Sequence, residues 1–337
     1  MRRLREPYVI GIAIAVLAAL YPVVRPDDLT TLSLGFLTFV FITQAIAWNL
    51  VGGFAGQISF GFAAFFGTGA YVTAILWGKN GWDPVMTLPL AGLAAMIVAL
   101  VVGLPTFRLQ AQYFAIATIG VGEGARVIAI NLDNVTGGAS GLILPFDVPS
   151  KSWFYWAGLI LATITFLASV WISRHRFGLA LFALRMDQSA AESLGVPTAV
   201  FKNVVHMIAA FFVGVSAGLY VTYLSYAHPD QVFGFDLSIG MVLMNVIGGI
   251  GTLWGPILGA LIYFPVRQIL LADPNLVAVN LLIFGMLLIF IILFEPGGLL
   301  GLLARLGIVA RTGVRLRPGA APPPAELGTG GEGAGVE

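Results

Sequence analysis

The sequence contains no cysteine, only three histidines and few charged residues. Without cysteine the chain can form no disulfide, no thiolate metal site and no cysteine nucleophile. It also lacks a G-x-S-x-G elbow, an H-E-x-x-H pair and a G-x-x-x-x-G-K-[ST] phosphate loop. We therefore expect a chain that is not an enzyme, with no catalytic residue, cofactor site or metal site. No basic patch is dense enough to predict nucleic-acid binding.

Hydrophobic residues make up 58% of the 337 residues, whereas charged residues make up only 10%. So few charges cannot cover the surface of a soluble domain, and the mean hydropathy of +0.95 is typical of a membrane protein. The apolar runs have the length of membrane-spanning helices and do not alternate polar with apolar residues, as outer-membrane strands would. The composition therefore predicts an all-α, polytopic transmembrane helical bundle.

The apolar runs predict ten spans, or eight or nine if one of them is re-entrant. The ten segments are 8–24, 30–50, 59–78, 85–105, 111–131, 153–173, 203–225, 238–253, 256–272 and 276–294. The apolar run after the basic N-terminus has no small-residue cleavage site, so we expect it to remain as an uncleaved first span.

Basic residues predict the orientation of these spans. With the N-terminus inside, twelve lysines and arginines fall in the inner segments and three in the outer ones. The excess of positive charge marks the cytoplasmic side, which places both termini in the cytoplasm. Residues 1–311 are then the transmembrane domain. Residues 312–337 are rich in proline, glycine and glutamate, and we expect a disordered cytoplasmic tail there.

One internal segment, Ser173–Val196, is too polar to cross a bilayer. Its apolar residues recur at helical spacing, which predicts one amphipathic helix over 178–195 in a cytoplasmic loop of about 174–202. Gly195 followed by Pro197 predicts the end of that helix. The residues of the predicted apolar face are Leu179, Phe182, Ala183, Met186, Ala190 and Leu194. We expect this face to pack against neighbouring spans and the polar face to meet a partner.

Glycines interrupt two apolar stretches, Asn49–Gly61 and Asn245–Pro256. Both begin N-x-x-G-G, and they align at an offset of 196 residues. Such paired breaks surround the pathway in many transporters, although glycines also simply let helices pack closely. Gln57 and Ser59 add polar groups that favour a pathway role for the first stretch.

Two further polar features have two interpretations each. Glu123 and Arg126 lie three residues apart in one span, where they are either pathway residues or a structural ion pair. The glycine-rich outer loop of 131–150, with Thr136, Gly137 and Gly138, either lines the outer mouth or is an ordinary turn.

Four blocks of this sequence resemble the permeases of ABC importers for branched-chain amino acids, most closely the larger of that family's two paired permeases. The first is N-L-V-G-G-F-A-G-Q-I-S-F-G from Asn49. The second is Y-F-A-I-A-T from Tyr113, followed by Glu123, Arg126 and T-G-G from Thr136. The third is R-M-D-Q-S-A-A-E-S-L-G-V from Arg185, and the fourth is G-G-I-G-T-L-W-G-P from Gly248. The chain departs from the family at Phe62, where histidine is common, and at the Asp187-Gln188 pair.

The resemblance implies a multi-pass permease of the bacterial inner membrane. Its implied partners are a second permease subunit, two cytoplasmic ATPases that hold ATP and Mg²⁺, and an extracytoplasmic solute-binding protein. The positions expected to couple to the ATPase are Arg185, Asp187, Ala190, Ala191, Glu192 and Gly195. The positions expected to line the pathway are Asn49, Gly53, Gln57, Ser59, Tyr113, Thr118 and Glu123. A permease for urea or short amides, and an ion-coupled secondary transporter or channel, are the alternatives.

Overall fold

A computed structural model describes residues 2–109, 111–145, 148–272, 279–295 and 297–305. Within these ranges the helices are, in chain order, α1 (Arg2–Val24), α2 (Leu29–Asn49), α3 (Phe62–Gly78), α4 (Pro84–Thr106), α5 (Ala111–Asn131), α6 (Asp133–Thr136), α7 (Lys151–Arg174), α8 (Arg176–Met186), α9 (Gln188–Ser193), α10 (Thr198–Leu224), α11 (Pro229–Val232), α12 (Phe235–Gly248), α13 (Gly255–Ala272), α14 (Asn280–Phe294) and α15 (Gly298–Arg305). Two short strands, β1 (Leu142–Ile143) and β2 (Tyr226–Ala227), pair antiparallel.

The prediction of a polytopic helical bundle is confirmed. In the described part of the chain, eight helical segments are long and apolar enough to cross a membrane, and α3 and a stretch of α14 are shorter apolar helices. Each of the ten predicted spans coincides with one of these ten. The predicted tail at 312–337 lies outside the described residues.

Glycines move one boundary of each of two predicted spans. The span predicted at 59–78 begins only at Phe62, since Gly56 has a φ of +70° and the chain up to Gly61 is irregular. The span predicted at 238–253 ends at Gly248, where Gly249 has a φ of +120°. Glycine adopts such angles without the steric cost that other residues incur.

The core of the bundle lies where α10 packs against α3 and α4, with α2 against α7 and α12 against α13. Small residues permit the closest of these approaches. A Cβ on Gly69 of α3 would lie 2.4 Å from the carbonyl oxygen of Gly214 on α10. α1 lies at the edge of the bundle, and few of its residues are buried. Membrane helices pack in this way because lipid provides no hydrophobic drive for helix association.

The connections define two ends of the bundle. We call the end that carries α8 and α9 the lower end, and the end that carries the β1–β2 pair the upper end. α2 and α12 both run towards the lower end, and the chain reverses there into α3 and α13. The two glycine-broken stretches are these reversals.

Candidate functional site

The two glycine-broken stretches lie against each other at the lower end. Asn49 Oδ1 accepts a hydrogen bond from Gly251 N at 2.8 Å, and Asn49 Nδ2 donates to Thr252 O at 2.8 Å. Asn245, the residue equivalent to Asn49, donates from Nδ2 to Ala45 O at 2.9 Å. A Cβ on Gly53 would lie only 2.8 Å from Gly251 N. The weak sequence repeat therefore corresponds to two like turns that bind each other directly.

After the first turn the irregular chain leads back into the bundle and starts α3 there. Trp48 Nε1 donates to Ser59 O at 2.8 Å, and Phe60 N donates to Thr118 Oγ1 at 3.1 Å. Ala63 N, in the first turn of α3, donates to Ser238 Oγ at 2.9 Å. These side chains satisfy backbone groups that the break leaves without helical partners.

The predicted pathway residues therefore fall into two groups. One group is buried inside this chain: Asn49, Gly53, Gln57, Ser59 and Thr118. Tyr113 and Glu123 form the other group, exposed on the outward face of α5. On the same helix, a Cβ at Gly120 or Gly124 would meet nothing within 4 Å. α5 thus presents an unpartnered face to its surroundings.

The segment predicted as one helix over 178–195 forms two helices, so that prediction is wrong. Asp187 has φ −159° and ψ 114°, which ends α8 and begins α9. Its Oδ1 accepts a hydrogen bond from Ala190 N at 3.0 Å, so it is the N-cap of α9. The predicted stop is confirmed, because Gly195 ends the segment with a φ of +82°.

Arg185 points into the bundle and joins the coupling segment, Arg176–Gly195, to both glycine turns. Its guanidinium Nη1 donates to Gly53 O. Its side chain also covers two glycines: a Cβ on Gly56 would lie 2.9 Å from Arg185 Cγ, and one on Gly251 would lie 2.0 Å from Nη1. Burial lowers the pKa of Arg185. One side chain therefore joins its own segment to both glycine turns of the lower end.

α9 is held to the start of α10 by a second set of polar contacts. Glu192 Oε1 accepts hydrogen bonds from Thr198 Oγ1 and from Gln188 Nε2. Gln188 Oε1 in turn accepts from Lys202 Nζ at 2.7 Å. The bond from Thr198, followed by that from Gln188, lowers the pKa of Glu192, which favours the ionised carboxylate. α9 and α10 are thus connected at both Gln188 and Glu192.

The predicted inward apolar face is largely exposed. Leu194 is 85% exposed, Leu179 64% and Met186 61%, whereas Leu181, Leu184 and Ala191 are buried. Of the predicted face, Phe182 does pack inward, with its ring 5.1 Å from that of Phe54. The prediction failed within α8 itself: Leu179 and Met186 both precede the break at Asp187, and the face of α8 that packs inward is the one with Leu181 and Leu184.

A charged cluster links α5 to α11. Arg126 Nε donates to Glu123 Oε2 at 3.0 Å, and Arg126 Nη1 donates to Asp230 Oδ1. The predicted pairing of Glu123 with Arg126 is confirmed, while Asp230 was missed because no spacing rule connects it to α5. Among the described residues no group of three or more histidine, aspartate and glutamate side chains is arranged to hold a metal ion.

A cavity of about 190 Å³ opens beside this cluster. Its walls come from the start of α3, from α5 and from the start of α12. The lining residues are Phe60, Ala63, Ile119, Gly122, Glu123, Phe233 and Phe235. Glu123 is the charged residue among them, so the arrangement offers one carboxylate in an otherwise apolar enclosure.

The glycine-rich loop at the upper end is an ordered turn. Thr136 Oγ1 donates to Ala129 O at 2.6 Å and accepts from Gly138 N at 3.3 Å. Gly137 and Gly138 have φ values of +75° and +57°. Lys79 Nζ donates to the carbonyl oxygens of Asn134 and Val135, both at 2.8 Å. Thr136, Gly137 and Gly138 therefore shape the loop itself, and a role at the mouth of a pathway stays a prediction.

Residues 30–292 match the protein family described as "Branched-chain amino acid transport system / permease component". The chain is 28% identical over 322 residues to the high-affinity branched-chain amino acid transport system permease protein LivM of Escherichia coli, covering 86% of this chain and 74% of that protein. It is 28% identical over 297 residues to LivM of Salmonella typhimurium, covering 78% and 68%. A probable LivM of Methanocaldococcus jannaschii is 25% identical over 270 residues, covering 72% and 78%. No solved structure matches significantly.

Proposed function

Because this chain belongs to the family of permease components of branched-chain amino acid transport systems, we propose that it is the membrane-spanning subunit of an ATP-driven importer for hydrophobic amino acids. The contact of Arg185 with both glycine turns carries this proposal, since it links a surface segment directly to the breaks in the membrane helices. The names of the curated relatives favour branched-chain amino acids over urea or short amides.

In this proposal the lower end faces the cytoplasm of a bacterial cell, with both termini on that side of the inner membrane. Two separate ATPase subunits bind ATP and Mg²⁺ and dock on the coupling segment. Leu179, Met186 and Leu194 favour an apolar contact with them, because these side chains are exposed while Arg185 and Glu192 are engaged within the chain. Exposed apolar patches of this kind are typical of protein interfaces.

Force would pass from the ATPase to the helices by a short route. The bonds of Gln188 and Glu192 make α9 move with α10, and Arg185 transmits the displacement to the turns at Gly53 and Gly251. Those turns are not regular helix: residues 50–54 form a single π turn and Gly251 has a φ of +80°. Local breaks of this kind are where helices bend or shift during a conformational change.

The exposed face of α5 would meet the second permease subunit, and the pathway would run between the two chains. Gly120 and Gly124 support a close approach there, because a Cβ at either position meets nothing within this chain. Tyr113 and Glu123 on the same helix would then be pathway residues. An extracytoplasmic solute-binding protein would deliver the substrate at the upper end.

The test is purification and transport of the assembled complex. Leu194→Glu places a charge in the proposed apolar contact, so we expect the ATPase to be lost on copurification and ATP-driven leucine uptake to fall. Ile143→Glu is the matched control for ATPase copurification, because Ile143 is 71% exposed but lies on β1 at the upper end, away from the proposed ATPase contact. Retention of the ATPase with full uptake in Leu194→Glu would contradict the docking surface. Accumulation of leucine by this chain alone, driven by an ion gradient, would favour a secondary transporter.

A further inference from the structure

A groove of about 370 Å³ lies between α1 and α13, and residues of α2 and α7 form its floor. We propose that this groove holds one acyl chain of an anionic phospholipid, whose headgroup lies at the lower end beside Arg174. The bound lipid would fill the space between α1 and α13 and so fasten α1 to the bundle, whatever the transported substrate.

The lining of the groove is almost entirely apolar. Thr163 has a hydroxyl group and Trp254, at the lower end, has an indole N–H, while the other lining residues are aliphatic residues, phenylalanines and a glycine. The hydroxyl group is already used, because Thr163 Oγ1 donates to Leu159 O at 2.7 Å. Water or a polar solute would lose hydrogen bonds on such a surface, whereas a hydrocarbon chain has none to lose. The groove therefore favours an apolar occupant.

The length of the groove suits an acyl chain. α1 rests on α7 at two points: a Cβ on Gly11 would lie 2.4 Å from Phe166 Cε1, and Tyr155 Oη donates to Ala18 O at 2.8 Å. Gly11, Ala15 and Ala18 all line the groove, which therefore follows α1 for about 10 Å at 1.5 Å per residue. This length is about two thirds of the hydrocarbon of one leaflet, since the whole hydrocarbon core is about 30 Å thick.

The groove is open to the membrane from the side. Ile14 of α1 and Leu261 of α13 line it and are 52% and 48% exposed. Both helices are long and apolar enough to span the membrane, so this opening lies at the depth of the hydrocarbon. α5, the helix proposed to meet the second permease subunit, contributes no lining residue. A lipid can therefore enter laterally, and the proposed permease pair leaves the entrance free.

Positive charge lies below the groove, at the lower end of α1 and α7. The Arg174 guanidinium lies over the ring of Tyr8, with its carbon 5.1 Å from the ring centroid, and Tyr8 is one helical turn before Gly11. In the part of the chain that the structure describes, Arg174 forms no ion pair with an acid. The sequence adds four more arginines here against one acid, Glu6: Arg2, Arg3, Arg5 and Arg176. Arginine binds phosphate strongly, and anionic lipids gather at basic segments beside membrane helices, so this charge favours an anionic headgroup.

The test is photocrosslinking in the purified transporter of all membrane and ATPase subunits, embedded in phosphatidylcholine bilayers. The probes are phosphatidylglycerol and phosphatidylcholine with a diazirine in the middle of one acyl chain, each added as a minor component. Mass spectrometry measures labelling at Ala162 and Thr163, which lie on the floor of the groove. We expect phosphatidylglycerol to label this floor about fivefold more than phosphatidylcholine, the preference that one arginine near an anionic headgroup gives.

Three variants and one control separate the two parts of the site. Ala15→Phe fills the groove from α1 and should remove most of the floor labelling. Ala13→Phe is the matched control, because Ala13 is exposed on the same helix and does not line the groove. Leu261→Trp fills the groove from α13 and should act like Ala15→Phe, so a displaced α1 would not explain both losses. Arg174→Gln should make labelling by the two lipids equal, without a change in labelling by phosphatidylcholine.

An unlabelled floor in wild type would overturn the lipid site, because it would mean that a protein segment or a partner subunit fills the groove. Equal floor labelling in Ala15→Phe, Leu261→Trp and Ala13→Phe would overturn it too. Equal labelling of wild type by the two lipids, or an unchanged preference for phosphatidylglycerol in Arg174→Gln, would refute the anionic headgroup at Arg174.

Discussion

At the scale of single residues, Arg185 is the side chain that contacts both glycine turns of the lower end. Its guanidinium bonds to Gly53 O, and its side chain lies over Gly56 and Gly251. The planar, forked guanidinium can contact two backbone segments at once, which the point charge of lysine cannot do equally well. Glycine is required at both covered positions because a Cβ would collide with the arginine.

Replacing Arg185 by glutamine should uncouple ATP hydrolysis from transport. The complex should assemble and hydrolyse ATP, but leucine uptake per ATP should fall about tenfold, since a hydrogen bond from a charged group contributes roughly 1.5–3 kcal/mol. Arg185→Lys should restore part of the loss. Uptake and phosphate release are measured in the same proteoliposomes. The control is Arg176→Gln, an exposed arginine on the same helix, and equal coupling ratios in the two variants would refute the role of Arg185.

Gly251 and Gly195 allow two costs of adding a Cβ to be separated: backbone strain at a positive φ, and collision with a neighbouring side chain. Their φ values are +80° and +82°, but a Cβ on Gly251 meets Arg185 whereas one on Gly195 meets nothing within 4 Å. Alanine should destabilise both sites by about 1–2 kcal/mol, because it resists the left-handed conformation. Gly251→Ala should lose more stability than Gly195→Ala, because its Cβ also displaces Arg185. Thermal unfolding of the purified chain compares the two variants. Equal losses of stability would contradict the prediction, because they would mean that Arg185 moves aside without a loss of free energy.

At the scale of elements, the break between α8 and α9 decides which side chains the coupling segment exposes. Asp187 adopts an extended conformation, and its carboxylate caps α9. Arg185 before the break then points into the bundle, whereas Glu192 after it is exposed and bonds to Thr198 at the start of α10. One continuous helix would not place the two groups as they lie here, because the break changes both the axis and the phase.

Asp187→Ala should weaken α9. Loss of an N-cap typically costs about 1 kcal/mol, and alanine also permits α8 to continue as one helix. We expect faster hydrogen exchange at the Ala190 amide, which Asp187 now binds, together with weaker ATPase binding. Asp187→Asn retains the cap and removes the charge, so the Ala190 amide of that variant should exchange at the wild-type rate. Protection that is unchanged in Asp187→Ala would mean that tertiary contacts alone hold α9.

At the scale of the whole molecule, the two halves of the bundle are joined at their like turns. Asn49 is fully buried and satisfies one backbone donor and one backbone acceptor of the second turn. Asn245 adds a single bond back to α2, from its Nδ2 to Ala45 O. A displacement that reaches one turn therefore reaches the other, which makes the lower end a single mechanical unit.

Asn49→Ala should destabilise the chain by roughly 1–3 kcal/mol, because it leaves Gly251 N and Thr252 O, both partly buried, without their partner. Asn49→Asp should also be unfavourable, since a carboxylate can accept from Gly251 N but cannot donate to Thr252 O. Thermal unfolding and leucine uptake are the measurements. Asn80→Ala, at an exposed turn of the upper end, is the control, and similar losses in the two alanine variants would contradict the proposed joint.

The amino-acid sequence by itself determined the helical membrane architecture, the ten apolar segments, the stop at Gly195 and the pairing of Glu123 with Arg126. These features depend on local composition and on spacing within one helix, which a sequence displays directly. Tertiary structure alone decided that Arg185 points inward while Leu179 and Leu194 are exposed, and that Asp230 joins the charged cluster. These features depend on contacts between residues far apart in the chain, such as Arg185 with Gly53 or Arg126 with Asp230. No local pattern contains that information, because a side chain's direction is set by the packing of its whole helix.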